Sequence, residues 1–218
     1  SADDDESAGS LAEVIPALVA IGDGAPESLV AALGDARLED GGWGGDEGST
    51  TALTASAVGA LIAAGVPVED ERVVGGLRVL AQTRNEDGGW GPDAESTATD
   101  TAAAMSALRA AGYDPDAECW VDDLDAAPGR PTPTSALVGM QEDSGSWGSG
   151  DEARSTAVAV QALGDRWLPL ARAGDGSCGG GLAWPFPSLP PELFIVAGIG
   201  AVAVYGGSRI MREHQPAY

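Results

Sequence analysis

The side chains that could do chemistry in this chain are carboxylates rather than activated nucleophiles. The 218 residues include 34 Asp and Glu but one histidine, His214, near the end of the chain. A serine or cysteine nucleophile needs a base beside it, which is most often an imidazole. The sequence therefore predicts no catalytic residue and no bound cofactor.

Carboxylates surround three Gly-Trp turns and raise the question of a metal site. They are Asp40, Asp46 and Glu47 at the first turn, Asp87, Asp93 and Glu95 at the second, and Asp143, Asp151 and Glu152 at the third. Oxygen clusters suit calcium, but this spacing is not that of a calcium loop. Solvated loops are the favoured interpretation, and no metal ligand is predicted.

The charge balance excludes one class of partner. The formal net charge is −23, and all 11 basic residues are arginines. Because nucleic-acid binding requires basic surface, we expect no nucleic-acid partner. The acidity indicates either a solvated surface or a face that attracts cations.

Three similar turns must position these groups. Asp-Gly-Gly-Trp-Gly occurs at residues 40–44 and 87–91, and Ser-Gly-Ser-Trp-Gly occurs at residues 144–148. Trp43, Trp90 and Trp147 thus recur roughly every fifty residues, a period typical of stacked helical pairs. The pattern predicts repeats in which an outer amphipathic helix, a Gly-Trp turn and an inner Ala-rich helix follow one another.

Apolar periodicity and breaker residues place the helices. We expect helices at about residues 10–21, 26–38, 49–64, 73–80, 96–111, near Val121, 134–141 and 154–163. Ser49 and Thr50 are candidate caps for the third of these. Alignment of the inner helices on Leu61, Leu108 and Leu163 places Thr54, Thr101 and Thr156 in register.

A charge-free segment near the C-terminus predicts a membrane anchor. Residues 193–208 carry no charge, and Arg209 and Arg212 follow them. We expect a single-pass transmembrane helix over residues 192–211 in the cell membrane, with the repeats outside the cell. The alternative is a buried core helix of the repeat domain.

These elements divide the chain into five parts. They are an acidic tail (1–9), a helical repeat domain (10–165), a Gly/Pro-rich stalk (166–191), the transmembrane helix (192–211) and a short cytoplasmic tail (212–218). Cys119 and Cys178 both fall on the extracellular side, where they either form a disulfide or stay free.

One stretch carries a family resemblance. Gly76 to Gln82 followed by Gly88-Gly89-Trp90 resembles the Gln-Trp motif of squalene cyclases, and Gln141 with Trp147 repeats it. The repeats are similar to those of the terpenoid cyclase and protein prenyltransferase superfamily. This resemblance implies an all-α fold of the alpha-alpha toroid type, here an open arc or partial barrel, with these Trp and Gln residues structural.

The resemblance also bears on activity. Cyclases of the superfamily carry an Asp-x-Asp-Asp-Thr-Ala motif, and residues 97–102 occupy the similar place with Asp100 kept and Thr99 at the proton-donor position. A threonine hydroxyl cannot protonate an alkene. Asp100, with Thr97 and Thr101, is either a ligand-binding group or part of the hydrogen bonding at the helix start. The zinc site of the prenyltransferases cannot be assembled with His214 alone.

These observations favour a membrane-anchored, extracellular helical-repeat domain that binds and does not catalyse. The expected partner is a small apolar or cofactor-like molecule, by analogy with cobalamin carriers that share the barrel, or a surface protein. One alternative is a terpenoid-cyclase-like enzyme or subunit with a degenerate acidic motif. The other is a structural cell-surface protein.

Overall fold

A computed structural model describes residues 2–117, 119–148 and 151–164, whose regular secondary structure is mainly α-helical, as predicted for an all-α chain. The described α-helices are α1 (Ala2–Ala20), α2 (Glu27–Asp35), α3 (Thr51–Ala63), α4 (Glu71–Gln82), α5 (Ala98–Ala110), α6 (Cys119–Asp123), α7 (Pro133–Gly139) and α8 (Glu152–Leu163). A hairpin joins β1 (Gly44–Gly45) to β2 (Gly48–Ser49), and a 3₁₀ helix covers Pro92–Ala94.

Alternate helices form two layers. In the inner layer α1, α3, α5 and α8 lie side by side, each packed against the next. In the outer layer α2 packs on α1, α4 packs on α3, and α7 packs on α5. Within the described residues, each inner helix therefore meets a neighbouring inner helix, and α1, α3 and α5 each carry an outer helix as well.

The residue types of each layer match this arrangement. On α3, Val58 and Leu61 are fully buried, and small alanines fill most of the remaining surface. On α4, Leu77 and Leu80 are buried while Arg78 is exposed, as expected for an amphipathic helix. The prediction of half-exposed outer and buried inner helices is confirmed for these two.

Side-chain caps begin several helices. Thr50, Thr97 and Thr132 precede α3, α5 and α7, and each hydroxyl accepts a hydrogen bond from the backbone N–H three residues later. Such a cap satisfies one of the backbone donors that a helix start leaves without an intrahelical partner. The cap predicted at Thr50 is confirmed.

Tryptophans lie at the centre of the core. Trp43, Trp90 and Trp120 are fully buried in one apolar cluster, and Trp147 packs in a second cluster with Met105. The rings of Trp90 and Trp120 lie 6.3 Å apart at 33°. The core thus connects the turns of successive repeats through large side chains.

Two local features differ from the prediction. α1 begins at Ala2, so residues 2–9 continue the first helix instead of forming an acidic tail. The first Gly-Trp turn also forms the β1–β2 hairpin, which periodicity alone did not indicate.

The described residues contain no helix that combines the length and the apolar character needed to cross a membrane. The predicted transmembrane segment 192–211, the stalk 166–191 and the tail 212–218 lie outside the described residues.

Candidate functional site

Each Gly-Trp turn is held by a tryptophan and a threonine of the following inner helix, which we call the Trp–Thr pair. The backbone N–H of Trp43 donates to Thr54 Oγ1 at 3.0 Å, and the Thr54 hydroxyl donates to the Trp43 carbonyl at 3.1 Å. The indole N–H of Trp43 donates to the Leu33 carbonyl of α2 at 2.7 Å. One turn is thereby joined to both an outer and an inner helix.

The same bonds recur in the later turns. Trp90 pairs with Thr101 at 3.0 and 3.3 Å, and its indole N–H donates to the Leu80 carbonyl at 2.6 Å. Trp147 N–H donates to Thr156 Oγ1 at 3.1 Å, and its indole donates to the carbonyl of Leu137 at 2.7 Å. The three threonines therefore share the register that the sequence alignment predicts.

Turn carboxylates serve the turns themselves. Asp40 accepts hydrogen bonds from the Gly42 N–H at 2.9 Å and from the Ser49 hydroxyl at 2.6 Å. Burial raises the pKa of Asp40, but these hydrogen bonds outweigh it and hold the pKa below its usual value. Asp87 accepts the corresponding bonds from Gly89 and Ser96. In the part of the chain that the structure describes, no group of three or more potential ligands is arranged for a metal ion.

The candidate ligand residues lie at the start of α5. Thr97 Oγ1 accepts from the Asp100 N–H at 3.1 Å and donates to Asp100 Oδ2 at 2.7 Å. Asp100 is partly exposed, whereas Thr101 is completely buried in its pair with Trp90. The structure thus brings Thr97 and Asp100 together as a helix cap and directs the Thr101 hydroxyl into the turn.

Thr99, which the family resemblance places at the proton-donor position, faces α8. Thr99 Oγ1 lies 3.3 Å from the Ser155 hydroxyl of α8. Both groups are alcohols, which cannot supply a proton to an alkene at neutral pH. The arrangement at the start of α5 therefore offers hydrogen bonding and one carboxylate.

The two glutamines of the Gln-Trp resemblance do not occupy equivalent places. Gln141 Nε2 donates to the Gly145 carbonyl at 2.9 Å, but Gln82 is an exposed residue at the end of α4. The group equivalent to Gln141 is Arg84, whose Nε donates to the Gly88 carbonyl at 3.1 Å. A constant separation of about six residues from the tryptophan would have identified it.

Arg84 is a buried cation that the sequence analysis missed. Arg84 is 5% exposed. Its Cζ lies 5.8 Å from the centroid of the Trp90 ring and 5.1 Å from that of the Trp120 ring, so the cation faces both aromatic rings. A second bond runs from its Nη2 to the Pro131 carbonyl. Burial, and then the nearby charge of Arg130, lower the pKa of Arg84.

Cys119, at the start of α6, is disulfide-bonded. Cys178 and His214 lie outside the described residues. Comparison with known proteins identifies no relative: no family model, no curated protein and no solved structure matches this chain.

Proposed function

We propose that this chain is a helical-repeat binding domain without catalysis of its own. In this proposal the two layers form an open arc of the alpha-alpha toroid type, as in the terpenoid cyclase and prenyltransferase superfamily. Residues 192–211 anchor it in the membrane, with the repeats outside the cell. The arc binds a small apolar or cofactor-like molecule, or a surface protein.

The order of the helices supports the toroid type. Inner helices α1, α3, α5 and α8 pack in chain order, and the outer helices α2, α4 and α7 pack on the first three of them. Three turns repeat the same Trp–Thr pair. Repeats that contact only their neighbours are the general feature of such architectures.

The binding face follows from exposure along the inner helices. Ala52 and Ser56 of α3 are exposed, and the equivalent residues of α5, Thr99 and Ala103, are partly exposed. Asp100 is partly exposed on the same turn of α5. Small side chains leave room for a ligand to approach the helices, while a carboxylate provides one polar contact.

The proposal rests on the hydrogen bonding and exposure of the polar side chains at the start of α5. Thr97 and Thr101 are engaged in the cap and the turn, and Thr99 faces another hydroxyl. Asp100 alone combines a charge with partial exposure in this group. A single carboxylate that is hydrogen-bonded to the threonine capping its helix suits ligand binding better than proton transfer.

The test is native mass spectrometry of the full chain, purified in detergent from its own host. We expect a small molecule to co-purify with the wild type and to be absent from Asp100→Ala. Asp23→Ala is the matched control, because Asp23 is an exposed carboxylate in the turn after α1. Tryptophan fluorescence of each variant verifies the fold.

A ligand-free mass for the wild type would contradict the small-molecule form of the proposal. A second protein in the spectrum, lost in Asp100→Ala, would assign the face to a protein partner. Retention of the same ligand by both variants would place its binding away from Asp100.

A further inference from the structure

The segment between α5 and α7 borders a partly open cavity at the second Gly-Trp turn. The cavity has a volume of about 140 Å³. Arg84 and Arg130 line it together with Asp116, Asp122 and the apolar Val121. Because α6 and the loop after it form most of its wall, it belongs to a different part of the molecule from the face around Asp100.

The two arginines differ in how many of their N–H donors have hydrogen-bond acceptors. Arg84 is fixed by the carbonyls of Gly88 and Pro131 and lies beside two tryptophan rings. Arg130 Nη1 is buried and has no hydrogen-bond partner in the described structure. Burial of a charged donor without an acceptor costs more free energy than an ordinary hydrogen bond contributes.

The carboxylates that line the cavity form no hydrogen bond with Arg130 Nη1. Asp116 Oδ1 accepts the backbone N–H of Thr134 at 3.0 Å, so this oxygen is used at the start of α7. Asp122 is exposed on α6. Two arginines and two aspartates therefore line the cavity, and Arg130 Nη1 is the donor that the aspartates leave without a partner. After burial, the charge of Arg130 is the next contribution to the lowered pKa of Arg84.

We propose that this cavity is a carboxylate-binding site, with Arg130 Nη1 as the principal donor. A guanidinium matches a planar carboxylate in shape and charge. A doubly charged phosphate fits less well, because Asp116 and Asp122 lie on the same wall. The volume accommodates roughly ten water-sized positions, which suits a small organic acid or one acidic side chain of a peptide.

The test is calorimetric titration of the full chain at low ionic strength with sodium acetate, sodium benzoate and inorganic phosphate. A blocked Gly-Glu-Gly peptide forms a further arm. We expect benzoate or the peptide to bind, and Trp120 fluorescence to change on binding because this ring lies near Arg84. Binding of benzoate assigns the site to free organic acids, whereas binding of the peptide alone assigns it to a protein side chain.

Variants test the role of Arg130. Arg130→Gln should weaken binding by about tenfold or more, and Arg130→Lys should weaken it less, because the charge remains. Arg78→Gln is the matched control, since it removes an exposed arginine of α4 with the same change in net charge. Circular dichroism of the variants verifies folding.

Equal binding by wild type and Arg130→Gln would overturn the proposal. So would tighter binding of phosphate than of benzoate and the peptide, or the absence of binding in every carboxylate titration. None of these results depends on Asp100, so failure here is distinguishable from failure of the proposed function.

Discussion

A threonine hydroxyl takes the place of a peptide partner in each Gly-Trp turn. The Trp90 N–H donates to Thr101 Oγ1, while the Trp90 carbonyl accepts from the Thr101 hydroxyl and also from the Thr97 N–H at 2.8 Å. Buried backbone polar groups are nearly always paired, and for this N–H the acceptor is a side chain. One side chain of the inner helix therefore supplies the acceptor that burial of the Trp90 N–H requires.

The first prediction concerns this hydroxyl. Thr101→Val keeps the shape of the side chain but leaves the Trp90 N–H without its acceptor. We expect the free energy of unfolding to fall by about 1–3 kcal/mol. Urea denaturation followed by tryptophan fluorescence measures the change.

Thr99→Val is the control for this prediction. Thr99 is partly exposed and its hydroxyl contacts only Ser155 at 3.3 Å. We expect its effect to stay within about 0.5 kcal/mol. Similar losses for the two variants would show that the Trp–Thr pair has no special importance for stability.

At the residue scale, the positions that recur at a constant spacing were predictable from the sequence. Thr54, Thr101 and Thr156 align on the inner-helix leucines, and each bonds its tryptophan. Gln82 was chosen because its residue type matches a motif, yet the side chain that reaches the turn carbonyl is that of Arg84. A search for glutamine alone misses such a replacement, because a guanidinium and an amide can donate to the same carbonyl.

At the scale of elements, the outer helix α4 begins with a charged cap. Asp70 Oδ1 accepts the Arg72 N–H at 3.0 Å, and the Arg72 guanidinium bonds the same carboxylate at 2.9 Å through two nitrogens. The Arg72 side chain, followed by its backbone N–H, lowers the pKa of Asp70 to about 2. The cap therefore stabilises α4 most when Asp70 is ionised.

The second prediction is the pH dependence of this cap. The unfolded pKa of aspartate is about 4. Because the folded pKa is lower, the stabilisation is fully present above pH 4 and is lost as the pH falls towards 2. Asp70→Asn should reduce stability by up to about 1 kcal/mol at pH 7, since the side chain is partly exposed.

Urea denaturation at several pH values measures the difference between wild type and Asp70→Asn. We expect this difference to be constant from pH 5 to pH 7 and to vanish near pH 2. Asp23→Asn, which changes an exposed turn carboxylate, should show no such dependence. A difference that grows as the pH falls would contradict the assignment.

Helix existence was predictable, whereas some helix ends were not. Residues 49–64 and 96–111 were expected to be helical, and α3 and α5 lie within them. The start of α1 was missed because apolar periodicity begins only near Leu11, while the acidic residues before it belong to the same helix. Polar residues at a helix N-terminus contribute through the dipole and leave no periodic pattern.

At the scale of the whole molecule, charge opposes folding. The formal net charge is −23, so most carboxylates have no arginine to pair with. The ion pairs Arg37–Glu71 and Arg72–Asp70 are partly exposed and therefore contribute little. We expect repulsion among the remaining carboxylates to outweigh these local attractions.

The third prediction follows from this balance. Raising NaCl from about 0.02 M to about 0.5 M shortens the screening length severalfold and should increase the melting temperature of the full chain. Differential scanning calorimetry measures the shift, with an equal osmolality of sucrose as the control for exclusion effects. An unchanged or lower melting temperature would show that the paired charges dominate.

The Trp–Thr pair also has an evolutionary consequence. In the first two repeats, the tryptophan and its threonine are 11 residues apart, and the indole N–H reaches a carbonyl 10 residues earlier. Each pair, with its bond to the outer helix, is therefore complete within one short stretch of chain. A duplicated gene segment would therefore carry a finished turn, and the copy would need only to stack on its neighbour. The connection between α5 and α7 is longer than that between α3 and α4 and lies outside the third pair, as expected if such turns are inherited whole while the connections between them diverge.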